Sequence, residues 1–119
     1  MARLSGIIEK GWGSEHIWAT NDKYCGKFLR FNKEAEFSFH FHAEKDETWY
    51  VLEGSFVVTT IDTKTAQVTE TLLVEGETWH NPPLLPHKLK CLTQGTIIEV
   101  STADSEEDNY RIAPGDSQR

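Results

Sequence analysis

The hydrophobic positions of this 119-residue chain fall in short runs that are rich in Val, Ile, Thr and aromatic residues. Turn signals such as Glu53-Gly54, Glu75-Gly76 and Gln94-Gly95 separate these runs. Runs of this length and composition, bounded by turn residues, are typical of β-strands. Eight strands are predicted, at residues 27–31, 36–41, 48–52, 56–61, 67–74, 78–80, 88–92 and 96–101. Because no stretch shows the i, i+3, i+4 apolar spacing of a long helix, we predict an all-β barrel or sandwich.

One of the predicted strands carries three phenylalanines at alternate positions. They are Phe37, Phe39 and Phe41, and the polar residues that alternate with them are Ser38, His40 and His42. Because successive side chains on a strand point to opposite faces, the phenylalanines point outward if the histidines point inward. Three adjacent phenylalanines should not face water. Cover would come from the N-terminal segment, which contains Trp12 and Trp18, or from a second subunit, and we predict a homodimer.

The length of the chain is that of one domain, and its hydrophobic content of 38% supports an ordinary packed core. We expect a barrel core at about residues 24–102, an N-terminal arm at 1–23 and an acidic, solvated tail at 103–119. The chain has no apolar run long enough to span a membrane, and its first residues lack the apolar segment of a signal peptide. A cytoplasmic protein is therefore expected.

The net charge of the chain indicates which kinds of partner it can bind. A net charge of −7 argues against nucleic acid and anionic membranes, which both need a basic surface, so a small molecule is the expected ligand.

Without an export signal, Cys25 and Cys91 should be reduced. Cys91 shares strand parity with His87 and could face the interior near a bound ion, although a buried hydrophobic role is the favoured alternative.

Four residues have the types and spacing of a metal site. His40 and His42 lie two apart on one predicted strand, so both imidazoles can face a single ion. Glu47 opens the next strand after a short polar bend, and His87 follows about forty residues later in a proline-rich corner. Three imidazoles and one carboxylate suit one divalent transition metal ion, such as Mn, Fe, Zn, Ni or Co, better than calcium or magnesium.

The same residues carry a family resemblance. Residues 26–54, with the two histidines, Glu47 and Gly54, resemble the first motif of the cupin superfamily, and residues 76–87 resemble the second. The two motifs are 21 residues apart, as in a single small cupin. The resemblance implies a jelly-roll fold, a double-stranded β-helix. Leu84 stands where the second motif usually has glycine, and Cys91 where it usually has asparagine; the neighbouring prolines could rigidify the corner in place of that glycine.

The flanking segments narrow the resemblance. Residues 10–15 with Trp18, and residues 99–102 with 108–111, resemble cupins related to the type II mannose-6-phosphate isomerases, although those enzymes often have a glutamine-like residue in place of His40. This resemblance implies a sugar-phosphate isomerase in which the metal polarises the substrate and a base moves a proton. His80 and Glu99 are the candidate bases, and Trp49 is a candidate wall of the substrate pocket. The candidate phosphate-binding residues are Arg30, Lys88, Lys90 and Arg111.

Two other functions stay open. Three histidines and a glutamate around ferrous iron leave positions for substrate and dioxygen, as in an Fe(II)-dependent dioxygenase. A non-catalytic cupin that binds a sugar or another small ligand would use the same fold, since one fold supports many unrelated functions.

Overall fold

The computed structural model describes residues 6–118, which form eleven β-strands and one short 3-10 turn. The strands are β1 (Gly6–Lys10), β2 (Gly13–Thr20), β3 (Tyr24–Phe31), β4 (Phe39–Phe41), β5 (Glu47–Glu53), β6 (Ser55–Ile61), β7 (Val68–Val74), β8 (Thr78–Asn81), β9 (His87–Cys91), β10 (Gly95–Thr102) and β11 (Tyr110–Ala113). The 3-10 turn covers Asp116–Gln118. In this part of the chain there is no α-helix, and hence no helix that could cross a membrane.

The strands form two antiparallel sheets. One sheet has six strands in the order β1-β2-β3-β10-β5-β8, and the other has five in the order β11-β4-β9-β6-β7. Hydrogen bonds do not close the two sheets into a barrel. The core between them is built from both sheets: Leu29 and Ile97 come from the six-stranded sheet, and Phe56 and Leu89 from the other. The all-β jelly-roll prediction is therefore confirmed, as a sandwich of two sheets.

Alternation along the strands decides which side chains enter this core. On β9, His87, Leu89 and Cys91 are buried, while Lys88 is half-buried and Lys90 is exposed. This is the period of two expected where one face of a sheet packs inward. Both cysteines are free and buried, and the Cys91 thiol donates a hydrogen bond to the carbonyl oxygen of Thr93. Cys91 belongs to the hydrophobic core, as the favoured alternative expected.

The prediction for the three phenylalanines is wrong at Phe37. The strand begins at Phe39 and not at residue 36, so the alternation does not extend back to Phe37. Phe37 is 9% exposed and packs in the core, with its ring centroid 6.2 Å from Trp12 and 5.8 Å from Trp49. Phe41 faces the other way and is covered by the chain itself, because it stacks on Tyr110 of β11 at 5.1 Å.

Three strands were not among the eight predicted. β1 is exposed at every position, and β11 likewise, so neither carries an alternating pattern. β2 is half-buried along most of its length and is held by pairing with β3. These strands form because an adjacent strand offers a hydrogen-bonding edge, which is a tertiary effect that overrides local pattern. Residues of the expected arm and tail are thus parts of the two sheets.

The corner before His87 adopts a backbone conformation that usually requires glycine, although a leucine occupies the position. Leu84 has φ 71°, which lies in the left-handed region that non-glycine residues rarely adopt. Its amide donates a 2.7 Å hydrogen bond to the carbonyl oxygen of His42, so the corner is tied to the residue that follows β4. The prolines therefore do not remove the need for a left-handed residue at this corner. Leu84 adopts that conformation and is strained by it.

Replacing Leu84 by glycine should stabilise the protein. The left-handed conformation costs a non-glycine residue about 1–2 kcal/mol, and glycine loses about 0.5–1 kcal/mol more backbone entropy on folding. Since the Leu84 side chain is 59% exposed, little packing is lost. We expect Leu84→Gly to raise the melting temperature by about 2–5 °C in thermal unfolding. Leu84→Ala is the control and should give no such gain, because alanine keeps the strain; equal gains in both variants would contradict this account of the corner.

Candidate metal centre

Three histidines converge at one end of the sandwich core. His40 lies on β4, His42 directly follows that strand, and His87 begins β9, where it pairs with His40 in the antiparallel register. One ring nitrogen from each lies within 4.8 Å of the others, and His87 is 1% exposed. The register between two strands therefore brings together residues that are more than forty positions apart.

Each imidazole is oriented by a hydrogen bond to a backbone carbonyl. The Nδ1 atoms lie 2.7 Å from the Ser38 oxygen for His40, 2.6 Å from the Asp108 oxygen for His42, and 2.9 Å from the Leu85 oxygen for His87. A carbonyl can only accept, so each Nδ1 must carry the proton. The Nε2 atoms are then left with free lone pairs, which is the arrangement seen when histidine binds a metal through Nε2.

The buried Nε2 of His87 has no hydrogen-bond partner of its own. Its nearest polar neighbour is Oε1 of Glu47, at 2.9 Å. A lone pair facing a carboxylate oxygen is repulsive unless a cation lies between them. As ligands of one shared cation, the two atoms could approach this closely, because the positive charge would offset their repulsion. The orphaned nitrogen thus fits a bound cation.

Glu47 stands at the edge of the histidine group. It is outside the set of ligand atoms that are all within 4.8 Å of one another, although it touches His87. Its second oxygen lies 3.4 Å from Nζ of Lys45. Burial raises the pKa of Glu47, but the adjacent His87 and the charge of Lys45 outweigh this and hold the pKa well below its usual value. The carboxylate is therefore ionised, as a metal ligand must be.

The imidazoles are also in the ligating state. Burial, followed by the charge of His87, lowers the pKa of His40 to about 3, and burial lowers the pKa of His42. Both rings are therefore neutral at physiological pH, with nothing to remove before they bind a metal. Nitrogen donors with one carboxylate suit a divalent transition metal, and the residues present fit such an ion.

A cavity of about 230 Å³ opens beside the histidines. Its walls include His40, His42, Trp49 and Phe37, and also residues from the chain termini. Those from the N-terminal hairpin are Ile8, Lys10, Trp12, Glu15 and Ile17, and those after β10 are Asp104, Ser105, Glu106, Asn109, Arg111, Ser117 and Gln118. Three candidate metal ligands, His40, His42 and Glu47, thus line a cavity with polar and charged walls.

Two buried lysines line this cavity, and neither was predicted from the sequence. Lys27 is 5% and Lys45 6% exposed, so each needs carboxylate partners. Nζ of Lys27 lies 2.9 Å from both Glu15 and Asp104, and Nζ of Lys45 lies 3.2 Å from Glu99 and from Asp104. Burial lowers the pKa of each lysine, but the surrounding carboxylates, Glu99 first, outweigh burial and raise it above its ordinary value. Both lysines are therefore charged.

Glu99 is the buried carboxyl at the centre of this arrangement. It is 4% exposed, its Oε1 accepts a 3.1 Å hydrogen bond from Nε1 of Trp49, and its Oε2 accepts one from Lys45 at 3.2 Å. Burial, together with the negative charge of Glu47, raises the pKa of Glu99 to about 7. A carboxyl with such a pKa can both hold and release a proton near neutral pH.

The sequence matches the cupin domain family over residues 27–102, which is more than half of the chain. The chain belongs to the cupin family. No curated protein is significantly similar to it in sequence.

Solved structures that share the fold of this cupin are numerous. Oxalate decarboxylase from Bacillus subtilis superposes with a TM-score of 0.74 at 21% identity, over 94% of this cupin and 33% of the enzyme. The capsular polysaccharide assembling protein CapF from Staphylococcus aureus gives 0.79 at 15% identity, over 95% and 33%. KdgF from Halomonas sp. gives 0.69 at 19% identity, over 79% and 81%. The cupin thus spans about a third of the length of the first two, and these likenesses show the fold.

Three predicted site residues lie away from the cavity. His80 is on β8 with a 57% exposed side chain, and its ring meets Asp46 at the surface. Arg30 is exposed on the outer face of β3, where its guanidinium lies 5.0 Å above the Phe28 ring. Lys90 is exposed on β9, because it has the opposite parity to His87. His80 and Arg30 also have outward parity on their strands, so none of the three lines the cavity.

The segment after β10 supplies contacts where a solvated tail was predicted. The Asp108 carboxylate accepts hydrogen bonds from the backbone amides of Ala43, Glu44 and Lys45, at 2.7–3.3 Å. These bonds hold the bend between His42 and Glu47. Arg111, a predicted phosphate-binding residue, does line the cavity. A hydrophobic pattern could not have revealed these contacts, because they are made by polar groups.

Metal analysis checks the candidate ligands. Protein purified without added metal should contain about one transition-metal ion per chain, and His42→Ala should lose most of it, since it removes one of three convergent Nε2 donors. The matched control is His80→Ala, which removes a surface imidazole and should leave the metal content unchanged. Folded wild-type protein that binds no transition metal, even when it is supplied, would refute the assignment.

Proposed function

We propose that this cupin is a metal-dependent enzyme that moves a proton on a small anionic substrate. The observation that carries the proposal is Glu99, a buried carboxyl that shares one cavity with His40 and His42, two of the three convergent histidines. Structural ion pairs also place carboxylates beside lysines, but few of them line a pocket next to a metal site. The specific candidate is aldose–ketose interconversion of a sugar phosphate, as in mannose-6-phosphate isomerase-like cupins.

The metal would be held by His40, His42, His87 and Glu47. When bound, a divalent ion supplies Lewis-acid polarisation of a substrate oxygen. Since Glu47 is a ligand, it is unsuited to act as a free base. The base must therefore come from another residue on the cavity wall, and Glu99 is the carboxyl that the two sheets leave next to the ligands.

Glu99 would accept a proton from one carbon of the substrate at a carboxylate oxygen. It would then return that proton to the neighbouring carbon. Trp49 and Lys45 each donate to one of its two oxygens, so the carboxyl is held in a fixed orientation. Such positioning keeps an acid–base group aligned through both proton transfers. Trp49 would also exclude water from one side of the substrate, since it is 1% exposed.

The cations that line the cavity offer binding groups to an anionic substrate, although carboxylates line it as well. Lys27, Lys45 and Arg111 all line it, although the chain as a whole is acidic. Arg30 and Lys90 lie outside the cavity and have no part in this proposal. A phosphate or carboxylate group would find ammonium and guanidinium donors in a partly dehydrated pocket, where charge-assisted hydrogen bonds are strong.

A second candidate is an Fe(II)-dependent dioxygenase, which the donor set of three histidines and one carboxylate favours equally. The two enzymes differ in oxygen use, since an isomerase needs none. A non-catalytic sugar-binding cupin is the third outcome, and it needs no positioned carboxyl.

We further propose that the protein is a homodimer, joined through the outer face of the six-stranded sheet. Tyr24, Tyr50, Leu52 and Val100 share this face by strand parity, and each is between 42% and 57% exposed. An apolar patch of this kind on a sheet is typical of an association surface. This differs from the surface expected around Phe37, which is covered within the chain.

Activity assays test the proposed enzyme. The manganese, zinc and iron forms should be incubated with mannose 6-phosphate and with fructose 6-phosphate while oxygen is monitored. We expect isomerisation without oxygen uptake, and Glu99→Gln should lower kcat by about 100-fold or more, because it keeps the shape but removes the base. Glu107→Gln, an exposed residue outside the cavity, is the control. Full activity of Glu99→Gln would refute the role of Glu99, and oxygen uptake or no turnover would favour the other two functions.

Light scattering tests the proposed dimer. The wild type should have twice the 13.6 kDa mass of one chain, and Val100→Lys should shift it towards the monomer, because a buried unpaired charge opposes association. Val68→Lys places the same charge on the other sheet, at a residue that is 57% exposed, and should stay dimeric. A monomeric wild type contradicts the proposal.

A further inference from the structure

Asp104 engages two buried lysines with its two carboxylate oxygens. Oδ2 lies 2.9 Å from Nζ of Lys27, and Oδ1 lies 3.2 Å from Nζ of Lys45. The two lysines come from different places in the chain, one from β3 and one from the bend before β5. Together they present two ammonium groups to a single carboxylate inside the cavity that holds the metal ligands.

The lysines are fixed, whereas Asp104 is on a connection. Lys27 belongs to a central strand of the six-stranded sheet, and Lys45 is in the bend that the Asp108 carboxylate holds. Asp104 lies between β10 and β11, in a stretch without regular secondary structure, and its side chain is 30% exposed. Of the carboxylates that touch these lysines it is the most accessible, since Glu15, Glu47 and Glu99 are 15% exposed or less.

Each lysine keeps a second partner if Asp104 leaves. Lys27 retains Glu15 at 2.9 Å, and Lys45 retains Glu99 at 3.2 Å and Glu47 at 3.4 Å. Neither ammonium group would be stranded without a counter-ion, and both would stay in place. The departure of Asp104 therefore uncovers a preorganised pair of ammonium donors, each with one carboxylate contact fewer than before.

We propose that Lys27 and Lys45 form the anion subsite of this cupin, and that Asp104 occupies it until an oxyanion group of the substrate displaces it. This inference rests on the proposed function for the substrate but not for the binding itself. The incoming group is a carboxylate or a phosphate, because either can offer two oxygens to two ammonium groups as Asp104 does. Binding of the ligand would then displace Asp104, and with it the loop between β10 and β11.

The arrangement predicts that removal of the internal anion tightens binding. An internal competitor that fills the subsite for more than about nine tenths of the time weakens the apparent affinity at least about tenfold. Asp104→Asn keeps the size of the side chain and removes its charge. In the metal-loaded protein, we expect this variant to bind inorganic phosphate or malonate at least about tenfold more tightly than the wild type, by calorimetry.

Control variants separate displacement of Asp104 from a general loss of negative charge and from binding at the metal. Glu107→Gln removes the same charge from the same connection and should leave both affinities unchanged. Lys27→Gln in the Asp104→Asn background should restore weak binding. If that double variant does not fold, the comparison of Asp104→Asn with Glu107→Gln decides alone. The same measurement on the His42→Ala variant should still show tighter binding after Asp104→Asn, because the lysines and not the metal hold the anion.

Each pattern of affinities has a distinct meaning. Tighter binding of phosphate alone or of malonate alone supports the subsite and identifies the group that the substrate carries. No tightening of either probe, or tightening that disappears in the His42→Ala variant, overturns the proposal. Because binding is measured without turnover, a protein that passes this test but fails the isomerase assay retains the subsite and loses only the proposed reaction.

Discussion

The structure of the site depends on one constraint: the ring orientation of three histidines that is fixed from the backbone. Each Nδ1 is held by a carbonyl oxygen, which forces the three Nε2 lone pairs towards a common point. These carbonyls come from three separate parts of the chain, at Ser38, Leu85 and Asp108. The loop preceding β4, the proline-rich corner and the segment after β10 must all be in place before the ligand set exists. Metal binding at this candidate site would therefore be coupled to folding.

A second dependence follows from the charges beside the ligands. Lys27 and Lys45 are buried, and a buried ion that loses a partner destabilises a protein by roughly 3–5 kcal/mol. The less exposed carboxylates beside them, Glu15, Glu47 and Glu99, are accordingly as necessary to the fold as to any chemistry. His87 and Lys45 hold the pKa of Glu47 low against the effect of burial, whereas burial and the negative charge of Glu47 raise the pKa of Glu99, so two carboxyls in one cavity have different pKa values. Environments that separate the pKa values of neighbouring carboxyls are a common basis for assigning a ligand and a proton carrier.

Whether a feature of this molecule can be predicted from the sequence depends on the kind of interaction that forms it. Eight strands and the convergence of His40, His42 and His87 follow from a period of two, because burial of one sheet face imposes that period. The same rule fails at Phe37, because the alternating pattern starts before the regular strand does. Lys27 could have been found, since it shares parity with the buried Cys25 and Leu29. Lys45, Asp104 and Asp108 could not, because a polar bend and an acidic loop carry no periodic signal, and their partners are 54 to 77 residues away.

Membership of the cupin family accounts for only part of the candidate site. The family match ends at residue 102, and all four proposed metal ligands lie inside it. More than half of the residues that line the cavity lie outside it, in the N-terminal hairpin and in the segment after β10. The shared part of the fold therefore explains why an ion could be held, whereas the shape and charge of the pocket are set largely by segments outside the family match. A substrate should accordingly be inferred from Arg111, Asp104 and the two lysines that contact Asp104, and not from solved structures that share only the two-sheet fold.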